Sequence, residues 1–254
     1  MRHWRSKFET FLADFEHAND ITGILVCGSY VTGSPTNHSD LDVHILLDEA
    51  VNYRERGNRI VDDLLIEYFA NPPRQVLAYF DDDLKDKNLM CQTQFATGEI
   101  LRDDHGAVLA LKEKALAMID AFYSNEPPLM PEYTKYGLWD MRDDVQDAYE
   151  NNRPDFDFVY YNILDKLLLN YLRGVNRRYH FKAIYGHVTS EVTRRKYLLR
   201  ELPDPAINGM IVQCITAIDR DSKMAAFEGL TEAILERFGG FEVDGFKLKS
   251  DLEL

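Results

Sequence analysis

The chain has 254 residues, 45% of them apolar and 12% aromatic, enough to fill one large core or two modest ones, which excludes disorder over most of its length. A formal net charge of −14 argues against a generic nucleic-acid binder, whose affinity comes from neutralising phosphates with Lys and Arg. It would suit a cationic partner, although acidity is also common in soluble proteins that have none.

The first twenty residues, MRHWRSKFETFLADFEHAND, place Trp4, Phe8, Phe11 and Phe15 at the spacing of an amphipathic helix and lack the form of a signal peptide. ITGILVC (21–27), a β-branched apolar run between Asp20 and Gly28, predicts a buried strand. LDVHILL (41–47) predicts a second strand and LLIEYFA (64–70) a third, stopped by Asn71-Pro72-Pro73. Between them EAVNYRERGNRIVDD leaves room for a helix or a long connection. RQVLAYFDDDLKDKN (74–88) reads as a helix ending in charge, and TGEILRDDHG (97–106) as a short strand running into a turn.

From residue 107 the apolar spacing becomes helical. AVLALKEKALAMIDAFYS (107–124) is a helix, and EPPLMP (126–131) is the clearest linker in the chain. EYTKYGLWDMRDDVQDAYEN, DFDFVYYNILDKLLLNYLRGVNRRY, PAINGMIVQCITAID and SKMAAFEGLTEAILERF all carry apolar residues three and four apart, which predicts an all-helical second domain. Near the end, Asp244-Gly245 between alternating residues predicts a small hairpin. No run approaches the length of a membrane span. Cys27, Cys91 and Cys214 form no CxxC pair, so they suggest neither a zinc ribbon nor a disulfide framework, and a cytoplasmic setting is expected.

Chemistry concentrates in VCGSYVTGSPTNHSDLDVHILL (26–47). Side chains at i and i+2 of a strand share a face about 7 Å apart, so Asp40 and Asp42 point the same way. Two like charges at that separation repel unless a cation lies between them, and a hard divalent ion such as Mg²⁺ takes carboxylate oxygens readily. Glu67 interrupts an otherwise apolar strand; it completes a carboxylate triad if that strand lies beside LDVHILL, or it faces solvent. Gly28-Ser29 closes the first strand with a turn whose amides and hydroxyl suit phosphate oxygens, although Gly-Ser after a strand is most often only a turn. There is no GxxxxGK[ST], and no GxGxxG follows the first strand.

Joined together, CGSYVTGSPTNHSDLDVHI and the later IEY resemble the nucleotidyltransferase superfamily typified by DNA polymerase β, whose motif runs hG[GS], a spacer, then [DE]h[DE]h, with a third carboxylate on a following strand. The resemblance covers roughly residues 20–70. A helical second half makes the chain look more narrowly like the antibiotic nucleotidyltransferases that modify aminoglycosides and lincosamides. The implied fold is α+β, a small mixed-sheet nucleotidyltransferase domain (1–125) followed by an all-helical bundle domain (126–254). The implied reaction is attack by a substrate hydroxyl on the α-phosphate of a nucleoside triphosphate, with ATP the expected donor and pyrophosphate the leaving group. In it Asp40 and Asp42 would hold one or two Mg²⁺ ions, Gly28 and Ser29 the terminal phosphates, and Glu67 either a metal or the proton of the attacking hydroxyl.

Weaker candidates lie in the second half. Arg173, Arg177, Arg178, Lys182, Arg194, Arg195, Lys196 and Arg200 form a basic run, and related enzymes place a phosphate-contacting lysine where Lys182 stands, just after a long helix. Asp140, Asp143, Asp144 and Asp147 recur at helical spacing, as an acidic ridge for an amine-bearing acceptor or as a solvated face. His44 shares the face of Asp42, where a structural role is expected. The expected partners are a nucleoside triphosphate and a small hydroxylated acceptor, with no nucleic acid and no membrane, in a monomer or a homodimer. The alternatives are adenylylation of a protein or RNA end, and a silent nucleotide-binding module.

Overall fold

Strands β1 (Ile21–Cys27) and β2 (Leu41–Leu47) are apolar on both faces, a composition that only a sheet covered on both sides can hold. The computed structural model describes residues 3–127 and 129–249, and places both strands at the centre of a five-stranded sheet of order β3-β4-β2-β1-β5. Strands β3 (Glu55–Val61), β4 (Leu64–Asn71) and β5 (Glu99–Asp103) complete it. β2 and β4 run parallel, and every other neighbouring pair is antiparallel. The fold is α+β, as expected.

One face of the sheet is covered by helix α1 (His3–Ala13), whose Trp4, Phe8 and Phe11, with Phe15 beyond its end, bury against Val26, Leu41, Val43, Ile45 and Ile66. The four inward residues of β2 on this face are wholly inaccessible, each burial contributing about 1.5–3 kcal/mol before entropy is counted. A four-residue turn of helix, α2 (Ser29–Thr32), follows β1. On the opposite face α3 (Pro73–Lys85), α4 (Met90–Thr97) and α5 (Ala107–Ser124) pack on Leu25, Cys27 and Leu46. Alternation along β2 therefore sends Asp42, His44 and Leu46 to the face that carries α3, α4 and α5.

Two elements differ from expectation. The stretch read as a helix or long connection holds β3, an edge strand whose outer side is polar and charged. Arg56, Asn58 and Arg59 lie exposed along it, which discourages pairing with another chain but hides the period-2 signal. It joins β4 through a two-residue turn in which Asp62 and Asp63 both take positive φ, 45° and 65°, as a type I′ hairpin requires. Helix α4 carried no helical signal in the sequence. Its start is held from outside, where the Cys91 amide donates to Asp83 Oδ2 at 2.7 Å, and buried Gln92 donates to the Phe80 carbonyl at 2.6 Å.

The chain divides into two units: one runs to Ser124 and includes Lys196–Leu198, and the other holds Asn125–Arg195 and the residues from Leu199 onward. In the second, α6 (Glu132–Glu150), α7 (Phe156–Gly174), α10 (Pro205–Thr216) and α11 (Arg220–Arg237) enclose a core that includes Leu138, Tyr160, Leu167, Ile211 and Phe227. Two short helices, α8 (Ile184–Thr189) and α9 (Glu191–Tyr197), lie in the basic run. The expected terminal hairpin forms only its turn among the described residues. Gly245 takes φ 77° and the Phe246 amide donates to the Val243 carbonyl at 3.1 Å, while the rings of Phe241 and Phe246 pack on Tyr136 in place of strand pairing. Residues 250–254 lie outside the described residues, as does Pro128 of the expected linker.

Asp63 adopts a left-handed backbone that glycine enters without steric cost. Asp63→Gly is expected to raise the melting temperature by about 2–3 °C, equivalent to about 0.5–1 kcal/mol, in a calorimetric scan.

Candidate active site

Register across the sheet aligns the candidate residues in a row. Cys27 of β1 faces Asp42 of β2, Asp42 faces Glu67 of β4, and Glu67 faces Asn58 of β3. Asp40, just ahead of β2 and two residues from Asp42, joins the same face. One oxygen from each of Asp40, Asp42 and Glu67 comes within 4.8 Å of the others, and all three residues are partly buried. The parallel pairing of β2 with β4 is what makes Glu67 level with Asp42. Of the two readings of Glu67, the structure has the one in which it joins the aspartates.

Gly28 closes the row at the end of β1. It takes φ 74°, and a Cβ built there would collide with the carboxylate of Asp42, whose Cγ would lie 3.1 Å away. The next turn folds back on it, with the Thr32 amide and hydroxyl donating to the Gly28 carbonyl at 3.1 and 3.0 Å. The amides of Ser29 and Tyr30 open this turn and have no acceptor inside it, so they are available to an anion beside the carboxylates.

Three carboxylates at this spacing perturb one another. Asp42 is pushed up to about 6, by burial first and then by the fields of Asp40 and Glu67, with Lys196 pulling the other way. Burial, reinforced by the same carboxylates, also raises the Cys27 thiol, which stays protonated and chemically quiet. Arg56 answers part of the charge, donating from Nη2 to Glu67 Oε1 at 2.7 Å while its guanidinium lies over the Phe69 ring at 4.8 Å. An all-oxygen donor set with unbalanced negative charge fits a hard divalent cation, and suits zinc or copper poorly.

The other candidates sit as follows. His44 is buried and its imidazole is lowered to about 4 by desolvation, so it is neutral; its Nε2 lies 3.1 Å from Gln94 Oε1 and its ring stacks on Phe69. That is the structural role expected of it. Lys182 belongs to the second unit, exposed on a 3₁₀ turn with its ammonium over the Phe181 ring. Asp140, Asp143, Asp144 and Asp147 are exposed along α6, opposite its buried Leu138 and Val145. Within the basic run, Arg177 donates to the Glu201 carbonyl at 2.8 Å and Arg194 pairs with the Glu201 carboxylate at 2.9 Å, both holding the loop after α9. Two functional candidates were not legible. Lys196 is one cation among eight in its run, and nothing local distinguishes it. Arg56 lies in the stretch whose strand character was itself hidden.

Comparison with known proteins bears on the same residues. Residues 6–90, wholly within the first unit, match a family model described as a nucleotidyltransferase domain. A search of curated proteins gave no match. Among solved structures, a nucleotidyltransferase-like protein from Exiguobacterium sibiricum 255-15 aligns with 92% of this chain and 75% of its own, at 10% identity and a TM-score of 0.41. The domain match gives the reaction class: transfer of a nucleoside monophosphate from a nucleoside triphosphate.

Because folded Asp42 binds its proton more tightly than the unfolded chain does, its contribution to stability falls as pH rises from about 4 through about 6 and stays lost above that. In metal-free protein at pH 8, Asp42→Asn is expected to raise the melting temperature by about 2–5 °C, about 1–2 kcal/mol after allowance for solvent screening, with little effect at pH 4. Added Mg²⁺ should stabilise the wild type and leave the variant unmoved. Gly28→Ala, which drives a methyl group into the Asp42 carboxylate at positive φ, is expected to lower the melting temperature and abolish the Mg²⁺ response; a variant that melts and responds like wild type would refute the packing of the turn on Asp42.

Proposed function

We propose that this nucleotidyltransferase catalyses a Mg²⁺-dependent transfer of AMP from ATP to a hydroxyl of a small molecule, an aminoglycoside-like antibiotic in the leading case, with release of pyrophosphate. The observation that supports it above all is the convergence of Asp40, Asp42 and Glu67 beside the Gly28 turn. A triphosphate brought to a chain of net charge −14 needs positive charge at the point of reaction, and the near cations of the first unit, Arg56 and Lys196, are few.

In this reading Asp40 and Asp42 would hold one or two Mg²⁺ ions, and Glu67 is kept as the base. Bound there, Mg²⁺ supplies Lewis-acid neutralisation of the charge that builds on the phosphate oxygens. Gly28 lets the backbone approach, and the Ser29 amide and hydroxyl bind the β- and γ-phosphates. The acceptor oxygen forms a bond to the α-phosphorus as the bond to the β-phosphate oxygen breaks. Glu67 takes the acceptor's proton, and the electron pair leaves with pyrophosphate. Asp42 must give up its proton to hold metal, so acid competes with Mg²⁺ there and the Mg²⁺ concentration needed for half-maximal activity is expected to rise as pH falls.

The test is pyrophosphate release with Mg²⁺ and each of the four nucleoside triphosphates, against a panel of aminoglycosides and lincosamides, with products weighed by mass spectrometry. An acceptor heavier by one AMP is expected. Asp40→Asn and Asp42→Asn should each reduce turnover by a factor of about 10³ or more, and Glu67→Gln by about 10²–10⁴, in variants that still melt cooperatively. Near-wild-type turnover in Asp42→Asn would overturn the assignment, and label appearing only in protein or RNA would replace the small acceptor.

A further inference from the structure

Two rows of side chains cross the sheet on the face that carries the carboxylates. The first runs from Asp42 of β2 to Glu67 of β4 and Asn58 of β3. One pleat along the strands, a second row sets His44 of β2 against Phe69 of β4, and Phe69 against Arg56 of β3. This second row is packed as a stack. The His44 ring packs on Phe95 at 4.7 Å and on Phe69 at 5.2 Å, the latter 23° from parallel, and the Arg56 guanidinium lies 4.8 Å over the Phe69 ring. His44 is buried and neutral with its Nε2 at Gln94, so the foot of the stack is fixed.

From its seat on Phe69, Arg56 reaches diagonally into the first row. Its Nη2 donates to Glu67 Oε1 at 2.7 Å, and among the described residues no donor is bonded to Oε2. The pair does little for the fold, since the Arg56 side chain is 69% exposed on an edge strand and exposed ion pairs contribute little to stability. Its effect is on geometry. A glutamate left to itself turns about three torsions, whereas a proton acceptor works only with an oxygen held within hydrogen-bond reach of the attacking hydroxyl. Phe69 fixes the plane of the guanidinium, the guanidinium fixes one carboxylate oxygen, and the other oxygen is left to accept.

We infer that Arg56 is a positioning residue for the transfer reaction: seated on Phe69, it ties Oε1 of Glu67 and so presents Oε2 to the attacking hydroxyl. Oε2 takes the hydroxyl proton as the new oxygen–phosphorus bond forms and the bond to pyrophosphate breaks. Arg56 acts through Glu67 alone. The role requires a planar guanidinium, which lies flat on a ring and donates within its own plane, as an ammonium cannot. The inference rests on the function proposed above, which makes Glu67 the base.

The test is a double-variant cycle on Mg²⁺-dependent pyrophosphate release from nucleoside triphosphate by the full chain, with the acceptor found above and with water in its place. Arg56→Ala is expected to lower kcat about ten- to hundredfold and to leave KM for the triphosphate within about twofold of wild type. In a Glu67→Gln background the same change should cost less than about twofold, because the carboxylate it serves is gone. Added guanidinium ion, well below denaturing concentration, should restore part of the kcat lost in Arg56→Ala and none of that lost in Glu67→Gln. Phe69→Leu should show a smaller loss that vanishes in the Arg56→Ala background. The melting temperature of Arg56→Ala and its rise with Mg²⁺ should match wild type, a result that separates positioning of Glu67 from support of the fold or of Asp40 and Asp42. Unchanged kcat in Arg56→Ala, an equal further loss when it is added to Glu67→Gln, or a lost Mg²⁺ response would overturn the role. The wild type and Asp42→Asn keep the two levels apart. No pyrophosphate from the wild type with any nucleoside triphosphate removes the transfer function and the role of Arg56 with it, whereas release that depends on Asp42 and is indifferent to Arg56 removes the positioning role alone.

Discussion

Three carboxylates held within reach of one another repel, and the remainder of the first unit is arranged so that they cannot move apart. Asp42 bears the cost, its acidity weakened by burial and by its two neighbours. A side chain in a loop would relieve that repulsion by turning into water. Here the aspartate stands on a strand whose alternate residues, Leu41, Val43, Ile45 and Leu47, are wholly buried, so turning Asp42 outward would pull an apolar row from the core. The apolar face anchors the polar one.

The same coupling explains why the sheet is mixed. Antiparallel β1 and β2 bring the Gly28 turn against Asp42, and the absence of a Cβ at residue 28 is what lets backbone and carboxylate share the space. Parallel β2 and β4 bring Glu67 level with Asp42. Reaching β4 in the parallel sense requires the chain to leave the sheet after β2 and return, and it returns through edge strand β3, which delivers Arg56 to the far side of Glu67. The Gly28 turn, the two aspartates, Glu67 and Arg56 thus lie in sequence across the strands because of how the strands are ordered.

Electrostatics and packing divide the labour among the other polar groups. His44 and Gln94 satisfy each other beneath the row of carboxylates and stay uncharged. Arg177 and Arg194 spend their charge on Glu201, and the aspartates of α6 lie in solvent. Among the described residues, the carboxylates that converge on one another stand at the start of β2 and in the middle of β4. An uncompensated cluster in a well-packed unit is where binding energy for a cation and a triphosphate can be realised.

Much of this was legible in the sequence. Period-2 and period-3.6 patterns marked β1, β2, β4, the aromatic face of α1 and the helices of the second unit, because each buries a full face and so writes its period in apolar residues. The pair Asp40 and Asp42, the glycine at 28 and the stray Glu67 were visible for the opposite reason, as polar or conformationally special residues where the local pattern calls for apolar ones. The edge strand β3, buried on neither side, left no such mark, and α4 depends on a cap from Asp83 that local sequence does not reveal. The sequence by itself determined which residue types could do the chemistry and on which strands they stand. Only the tertiary structure decided that β4 lies parallel to β2, which brings three separate carboxylates together, and that Arg56 and Lys196 come near them, because through-space proximity between distant segments is set by strand order and packing and leaves no period in the chain.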